Sequence, residues 1–310
     1  MIRRSHQSVQ NIEGGAPVQE VRRHAVYIGF VLLSTAAFFS TFASLVHYSL
    51  ESSSSSHIVL IPFISFFLLY FERQRIFLKA APSRSLGVVV GLLGLILFIA
   101  AKRGPIPHLD NWRLSIEVLS VVVIWFAAFL FTYGISAFRA GSFALLFLLL
   151  MVPLPDPILN WIIHGLQEGS TDIAQFIFRI TGTPVLRHGF QLALPTVTIE
   201  VAEECSSIRS SMALFITCLL AAHLYLRSGW KKWVFVLLSI PLSLIKNGIR
   251  IATLTLLSIY VNPDFLTGRL HHQGGVVFFL LALALLVPVF LWFERTDKSQ
   301  PAPLPITESS

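Results

Sequence analysis

Long apolar segments recur along almost the whole chain of 310 residues. They fall at roughly 25–46, 58–71, 86–101, 117–135, 140–153, 206–225, 233–261 and 274–293. A helix needs about 20 apolar residues to cross the hydrocarbon core of a bilayer, and most of these segments approach that length. Because lipid offers no hydrogen bonds to the backbone, such segments are expected to be helical. The sequence therefore predicts an all-α polytopic membrane protein with about eight transmembrane helices.

The composition excludes several other classes of protein. Hydrophobic residues make up 55% of the chain and charged residues 13%, whereas an ordinary soluble domain has about 25% charged residues. A disordered chain and an enzyme with a single membrane anchor are therefore excluded. Two cysteines are too few for a secreted disulfide scaffold. The net charge of +7 is typical of cytoplasmic loops in a polytopic protein, so no nucleic-acid partner is predicted.

The domain boundaries follow from the apolar segments. Residues 1–24 are predicted to form a cytoplasmic polar tail, 25–293 a multipass membrane domain, and 294–310 a second cytoplasmic polar tail. The first apolar segment, 25–46, is too long for the core of a signal peptide and is expected to remain as a span.

The segment 233–261 is ambiguous because Lys246 and Arg250 interrupt it. It fits either two short spans or one long helix. A single helix places both tails and most of the lysines and arginines on the cytoplasmic side, in agreement with the positive-inside rule. We therefore predict one helix. The segments 58–71 and 140–153 are short, which fits tilted, re-entrant or partly buried helices.

One large extracytoplasmic insertion is predicted at about 154–205, before the sixth span. Within it, 158–182 is apolar with interspersed polar residues, which favours one or two amphipathic helices at the membrane surface. The alternation in 190–194 and 197–201, broken at Pro195, is typical of a β-hairpin. The insertion leads the chain to the start of the sixth span.

Cys205 lies where the predicted strand ends and the sixth span begins. Free backbone N–H groups and the helix dipole at a helix N-terminus favour a thiolate, which makes Cys205 a candidate nucleophile. Glu203 and Glu204 oppose this, because a neighbouring negative charge raises the pKa of a thiol. The alternative is an ordinary buried cysteine, as we expect for Cys218. The two cysteines are ~20 Å apart along one predicted helix, too far for a disulfide.

Arg250 and Lys246 lie one turn apart on one face of the seventh span, with Asn247 beside them. A guanidinium in an apolar span is costly, so it normally faces a cavity or a charged partner and indicates a functional site. The alternative is a structural arginine that reaches the interface or forms a salt bridge. The candidate partners in sequence are Glu200, Glu203 and Glu204.

His271 and His272 precede the eighth span, on the same predicted face of the membrane as Cys205. A histidine there could act as a general base toward the thiol and as an acid toward a leaving amine. A zinc site is disfavoured, because adjacent helical residues diverge by about 100° and rarely bind one ion. Cysteine, arginine and histidine thus converge at one membrane face.

With these residues, the chain resembles the exosortases, of the exosortase/archaeosortase family of multipass membrane cysteine transpeptidases. The resemblance extends from about residue 147 to residue 279. Its motifs are Met151-Val152-Pro153-Leu154-Pro155, Gly182-Thr183-Pro184-Val185, Val201-Ala202-Glu203-Glu204-Cys205-Ser206-Ser207-Ile208-Arg209, Asn247-Gly248-Ile249-Arg250-Ile251, and His271 with Gly275 and Phe279. Two positions depart from the usual family pattern, Glu204 and Ser207, and neither removes a catalytic group.

The resemblance implies that Cys205, Arg250 and His271 form the catalytic set. We expect supporting roles for five further residues, His272, Glu203, Arg209, Asn247 and Lys246. The resemblance implies no cofactor and no metal.

The function that the resemblance implies is cleavage of C-terminal sorting signals on exported proteins. Such a signal has a short Pro-Glu-Pro-like motif, a transmembrane helix and a basic cluster (PEP-CTERM). The partners are then the transmembrane segment of the substrate, membrane lipid and an unknown acceptor nucleophile. The implied location is the cytoplasmic (inner) membrane of a bacterium, often one that makes exopolysaccharide, with the active site at the extracytoplasmic face.

Two other interpretations of the sequence stay open. A transporter or polysaccharide-export subunit would use Arg250, Lys246 and Glu203 to line a substrate path. An intramembrane protease would hydrolyse the thioester instead of transferring it, and both reactions share that intermediate.

Overall fold

A computed structural model describes residues 5–78, 80–104, 111–201, 208–265 and 275–298. The chain divides into two compact units, Met1–Ile158 and Leu159–Ser310. Helices predominate in both units, which confirms the predicted all-α polytopic fold.

Over the ranges given above, the regular secondary structure of the first unit consists of helices. Its α-helices are α1 (Ser5–Ala37), α2 (Phe39–Glu51), α3 (Ile61–Phe71), α4 (Arg73–Phe77), α5 (Arg84–Arg103), α6 (Trp112–Ala140) and α7 (Ser142–Phe147). Short 3-10 helices occupy Ser53–Ser55, Ile58–Leu60 and Leu148–Met151. Helix α1 begins inside the predicted polar tail.

The second unit combines helices with a small sheet. Its helices are α8 (Asp156–Ile180), which begins just before the unit boundary, α9 (Ile208–Tyr225), α10 (Gly229–Tyr260) and α11 (Gly275–Lys298), with a 3-10 helix at Pro263–Phe265. The strands are β1 (Leu186–His188), β2 (Gln191–Ala193) and β3 (Thr198–Glu200).

Several of the described helices are long enough to cross a membrane. Among the described residues, five qualify by length and composition, or up to seven if two bent helix pairs each count as one span. The predicted first span is one such pair: α1 and α2 meet at 77°, because the backbone of Phe38 leaves the helical region (φ −100°, ψ 25°). The segment 58–71 is only a short apolar helix, and 140–153 reaches spanning length only in a bent pair with α8.

Helices α5 and α6 of the first unit pack in close contact at two glycines. A Cβ at Gly87 would lie 2.8 Å from the backbone of Phe131, and one at Gly94 would lie 2.7 Å from the Ile124 side chain. Glycine permits this approach because it has no Cβ, as is common between transmembrane helices.

The beginning of α8 is fixed by a reciprocal pair of hydrogen bonds. The backbone N–H of Asp156 donates to Asn111 Oδ1 at 2.9 Å, and the backbone N–H of Asn111 donates to Asp156 Oδ2 at 3.1 Å. Asn111 also donates to the carbonyl oxygen of Leu154 at 2.9 Å. Asn111 immediately precedes α6, and both Asn111 and Asp156 belong to the first unit, so these bonds lie within that unit.

Three helices form the apolar core of the second unit. Leu214 and Cys218 of α9 pack with Phe235 of α10 and with Ala282 and Leu286 of α11. The ambiguous segment 233–261 lies in α10, which is one continuous helix. This confirms the prediction of a single helix.

Asp297 joins the end of α11 to the beginning of α10. Its carboxylate accepts hydrogen bonds from the backbone N–H groups of Arg227 and Ser228 and from the Ser228 hydroxyl, and it forms an ion pair with Lys231 at 3.1 Å. Both side chains of the ion pair are buried. The end of α11 and the beginning of α10 therefore lie on the same side of the second unit.

We expect replacement of Asp297 by alanine to destabilise the second unit. The change leaves the buried Lys231 ammonium without its carboxylate, and breaking a buried ion pair on one side typically costs about 3–5 kcal/mol. Thermal unfolding of the purified protein in detergent measures the effect. Asp264→Ala, at an exposed position, is the control and should leave the midpoint unchanged. An equal midpoint for both variants would contradict the proposed role of Asp297.

The small sheet and the C-terminal parts of α8 and α10 form a second core. The sheet has the order β1-β2-β3 with antiparallel pairing, and Gln191 lies opposite Glu200. Leu192 of β2 packs with Phe178 of α8 and Ala252 of α10. The positive φ of Gly182 (72°) ends α8 and turns the chain toward β1.

Candidate functional site

The structure describes four of the predicted site residues: Arg209, Lys246, Asn247 and Arg250. Four others, Cys205, Glu203, His271 and His272, lie outside the described residues, as does Glu204. On either side of Cys205 in the sequence, β3 ends at Glu200 and α9 begins at Ile208. The predicted convergence of cysteine, arginine and histidine therefore stays a prediction.

Arg250 lies in the C-terminal part of α10 and is half-buried. Trp233, near the other end of this helix, is 71% exposed, as expected for a tryptophan at a membrane interface. The rise of an α-helix places Arg250 ~26 Å from Trp233 along the axis. That distance approaches the ~30 Å thickness of the hydrocarbon core. The guanidinium is therefore expected near the boundary of the hydrocarbon core on the side away from Trp233, where a charge costs less than at the centre of the bilayer.

The two residues before Gly248 are buried and contact two different helices. Lys246 donates a hydrogen bond through Nζ to the hydroxyl of Ser210 on α9. Asn247 donates through Nδ2 to the hydroxyl of Ser170 on α8, at 3.0 Å. Both side chains are almost fully buried, at 2% and 1% exposed. The motif that contains Arg250 is thus bonded to α8 on one side and to α9 on the other.

Gly248 allows α8 to approach α10 closely. A Cβ at Gly248 would lie 2.4 Å from Ile173 Cγ2 and 3.2 Å from the carbonyl oxygen of Ser170. Gly169 of α8 faces Leu244 of α10 in a similar way, with 3.0 Å between the expected Cβ and the leucine methyl groups. Two glycines therefore bring the helices into contact next to the Ser170–Asn247 hydrogen bond.

A further side chain of α8 contacts the segment that leads to Cys205. Gln167 donates through Nε2 to the carbonyl oxygen of Val201 at 3.0 Å. The backbone N–H of Val201 donates to the carbonyl oxygen of Phe190, also at 3.0 Å. Val201 is the last described residue before Cys205. Its backbone is thus held from two sides.

Gln167 and Ser170 were not predicted as site residues from the sequence. Both face the protein interior, at 6% and 1% exposed, whereas the Glu168 and Asp172 side chains on the same helix are 59% and 60% exposed. In an amphipathic helix, polar residues are normally assigned to the solvent-facing side. The sequence contains one indication that these two residues are buried. They share a helix face with Ala174, which is fully buried.

The electrostatics of the described site are dominated by cations. Arg209 is exposed in the first turn of α9, and Lys246 contacts the next residue, Ser210. Glu200 is exposed on β3. Within the described parts of the chain, no group of three or more His, Cys, Asp and Glu side chains is placed to hold a metal ion.

A comparison with protein families gives a match over most of the chain. The model for the family described as transmembrane exosortase (Exosortase_EpsH) matches residues 47–288. This range is most of the chain and contains every motif of the predicted site. Comparisons with curated proteins and with solved structures give no match. On the strength of the family match, the chain belongs to the transmembrane exosortase family.

Proposed function

We propose that this protein is a membrane-embedded cysteine transpeptidase that cleaves C-terminal sorting signals of exported proteins. The family is one of membrane transpeptidases in general, and the family match is the observation that supports the proposal most strongly. The matched range includes Cys205, Arg250 and His271. We assign the catalytic roles to these three residues.

In the proposed mechanism, the Cys205 thiolate attacks the carbonyl carbon of the scissile peptide. His271 first accepts the thiol proton and then donates it to the leaving amine as the C–N bond breaks. The product is a thioester between Cys205 and the N-terminal part of the substrate. A second nucleophile then attacks the thioester carbonyl and releases the thiol.

Arg250 is proposed to stabilise the oxyanion that forms on the carbonyl oxygen. The expected depth of this residue, near the boundary of the hydrocarbon core, supports the role, because a substrate cleaved beside its transmembrane helix presents the scissile bond at that depth. The planar guanidinium supplies several N–H donors in a fixed geometry. Bonds from Lys246 to α9 and from Asn247 to α8 hold the helix that carries it.

The proposed substrate is a protein whose C-terminus has a PEP-CTERM-like signal, with a short motif, a transmembrane helix and a basic cluster. The proposed location is the bacterial inner membrane, with the active site at the extracytoplasmic face. The ion pair between Asp297 and Lys231 supports this orientation, because it groups the end of α11 with the basic loop before α10.

The proposal is tested with membranes that contain the protein and a tagged substrate with such a signal. Mass spectrometry measures the trimmed product for the wild type, Cys205→Ala and Cys218→Ala. Cys218 is fully buried in the helical core and is the matched control for the loss of a thiol. We expect no trimming by Cys205→Ala and wild-type trimming by Cys218→Ala. Trimming by Cys205→Ala at the wild-type rate would refute the proposal.

A further inference from the structure

We propose that Gln167 is a positioning residue that fixes Val201, the last described residue before Cys205, relative to the Arg250 motif on α10. Helix α8 contacts Val201 and also contacts the Arg250 motif on α10. The inference rests on the proposed function of Cys205 and Arg250. In this role α8 contributes to catalysis, in addition to forming the second core with the small sheet and α10.

The first observation is the hydrogen bond from Gln167 to Val201. Strand β3 ends at Glu200, so the Val201 carbonyl lies beyond the paired positions of the sheet. Gln167 supplies the donor that strand pairing no longer provides there, at 3.0 Å. The Val201 residue is 2% exposed. A buried carbonyl oxygen without a hydrogen-bond donor has a free-energy cost. The hydrogen bond from Gln167 therefore favours the position of Val201 in which it is formed.

The second observation is that the same face of α8 is bonded to the Arg250 motif. Ser170 lies three residues after Gln167, which places the two side chains on one face of the helix. Its hydroxyl accepts the hydrogen bond from Asn247, three residues before Arg250. The contact between Ile173 and Gly248 leaves little room for α8 to move along α10. One face of α8 is thus hydrogen-bonded both to Val201 and to the motif that contains Arg250.

The third observation concerns the chain after Cys205. Helix α9 resumes at Ile208, and Ser210 in its first turn accepts the hydrogen bond from Lys246 on α10. The chain is therefore held before residue 202 by α8 and after residue 207 by α10. Of the hydrogen bonds described for Val201, the one from Gln167 involves a side chain, and the other joins two backbone groups.

The test replaces Gln167 by methionine, which has a similar length and no N–H donor. The matched control is Gln175→Met, the same change on the same helix at a half-buried position. A shift of the reacting groups by about 1 Å can cost about 10²-fold in rate. We expect kcat for substrate trimming to fall at least tenfold in Gln167→Met, with KM within about twofold of the wild type. Gln175→Met should match the wild type in both constants.

A second measurement separates positioning from a general loss of stability. The rate of alkylation of Cys205 by iodoacetamide is followed against pH in a Cys218→Ala background, where Cys205 is the only thiol of the chain. We expect the midpoint of this profile to shift in Gln167→Met and to stay at the wild-type value in Gln175→Met. This readout needs no substrate, so it is independent of the sorting signal chosen.

A wild-type kcat and an unchanged alkylation profile in Gln167→Met would overturn the inference. If Gln167→Met does not accumulate in the membrane, Ser170→Ala tests the other arm of the same connection, and a wild-type kcat there has the same meaning. The proposed function fails in a different way, through trimming by Cys205→Ala. An inactive Cys205→Ala together with a fully active Gln167→Met would reject only the positioning role.

Discussion

Replacement of Arg250 by lysine is expected to lower the turnover of substrate at least tenfold while the amount of protein in the membrane stays near the wild-type level. Loss of one oxyanion donor typically costs about 10²–10³ in rate. Lysine keeps the positive charge but offers a single flexible ammonium instead of a planar fork of donors. Steady-state kinetics of trimming by the purified protein measure the effect.

The control for this prediction is Arg179→Lys, the same change at an exposed position in the last turn of α8. It should have the wild-type kcat. Near-normal turnover by Arg250→Lys would mean that the residue contributes charge alone. The oxyanion role would then pass to backbone N–H groups near the start of α9, where free donors are expected.

Replacement of Gly248 by alanine is expected to reduce both the stability and the activity of the protein. The new Cβ would lie 2.4 Å from Ile173 Cγ2 and 2.6 Å from Ile173 Cβ, distances that force α8 and α10 apart. Overpacking of this kind typically costs about 1–3 kcal/mol. Because the separation also strains the Ser170–Asn247 hydrogen bond, trimming should fall by more than the loss of folded protein explains.

Thermal unfolding in detergent and kcat per folded molecule measure the two effects of Gly248→Ala. The matched control is Gly165→Ala on α8, where a Cβ meets no atom within 4 Å. Alanine is about 1 kcal/mol more favourable than glycine inside a helix, so this control should be at least as stable as the wild type. Equal stability and activity of both variants would contradict the close packing of α8 on α10.

Much of the second unit could be predicted from residue periodicity. The amphipathic segment 158–182 corresponds to α8, and the alternating segments 190–194 and 197–201 contain β2 and β3. Strand β1 was not predicted, because its adjacent polar residues Arg187 and His188 give no alternation of apolar and polar side chains. A strand this short is defined by its partner in the sheet.

Hydropathy alone did not predict where apolar segments break. The segment 25–46 is continuous in composition, yet the chain bends by 77° between α1 and α2. No proline or glycine marks the bend at Phe38. Apolar composition states that a segment can reside in lipid, whereas its direction depends on packing against neighbouring helices.

The site could be predicted only where a residue type is unusual for its surroundings. Lys246, Asn247 and Arg250 were identified because they are polar in an apolar span. Gln167 and Ser170 also form buried hydrogen bonds between elements, but they lie among other polar residues of an amphipathic helix. Their hydrogen bonds to Val201 and Asn247 join positions far apart in the sequence, and periodicity contains no information about such pairs.

The central claim is that Cys205 forms a thioester with the substrate, and direct capture of that intermediate tests it. The purified Cys218→Ala protein is incubated with tagged substrate, quenched in acid and digested for mass spectrometry. The account predicts that the peptide containing Cys205 gains the mass of the N-terminal substrate fragment, and that hydroxylamine removes this mass. Efficient trimming without any such adduct, together with trimming by Cys205→Ala, would contradict the account.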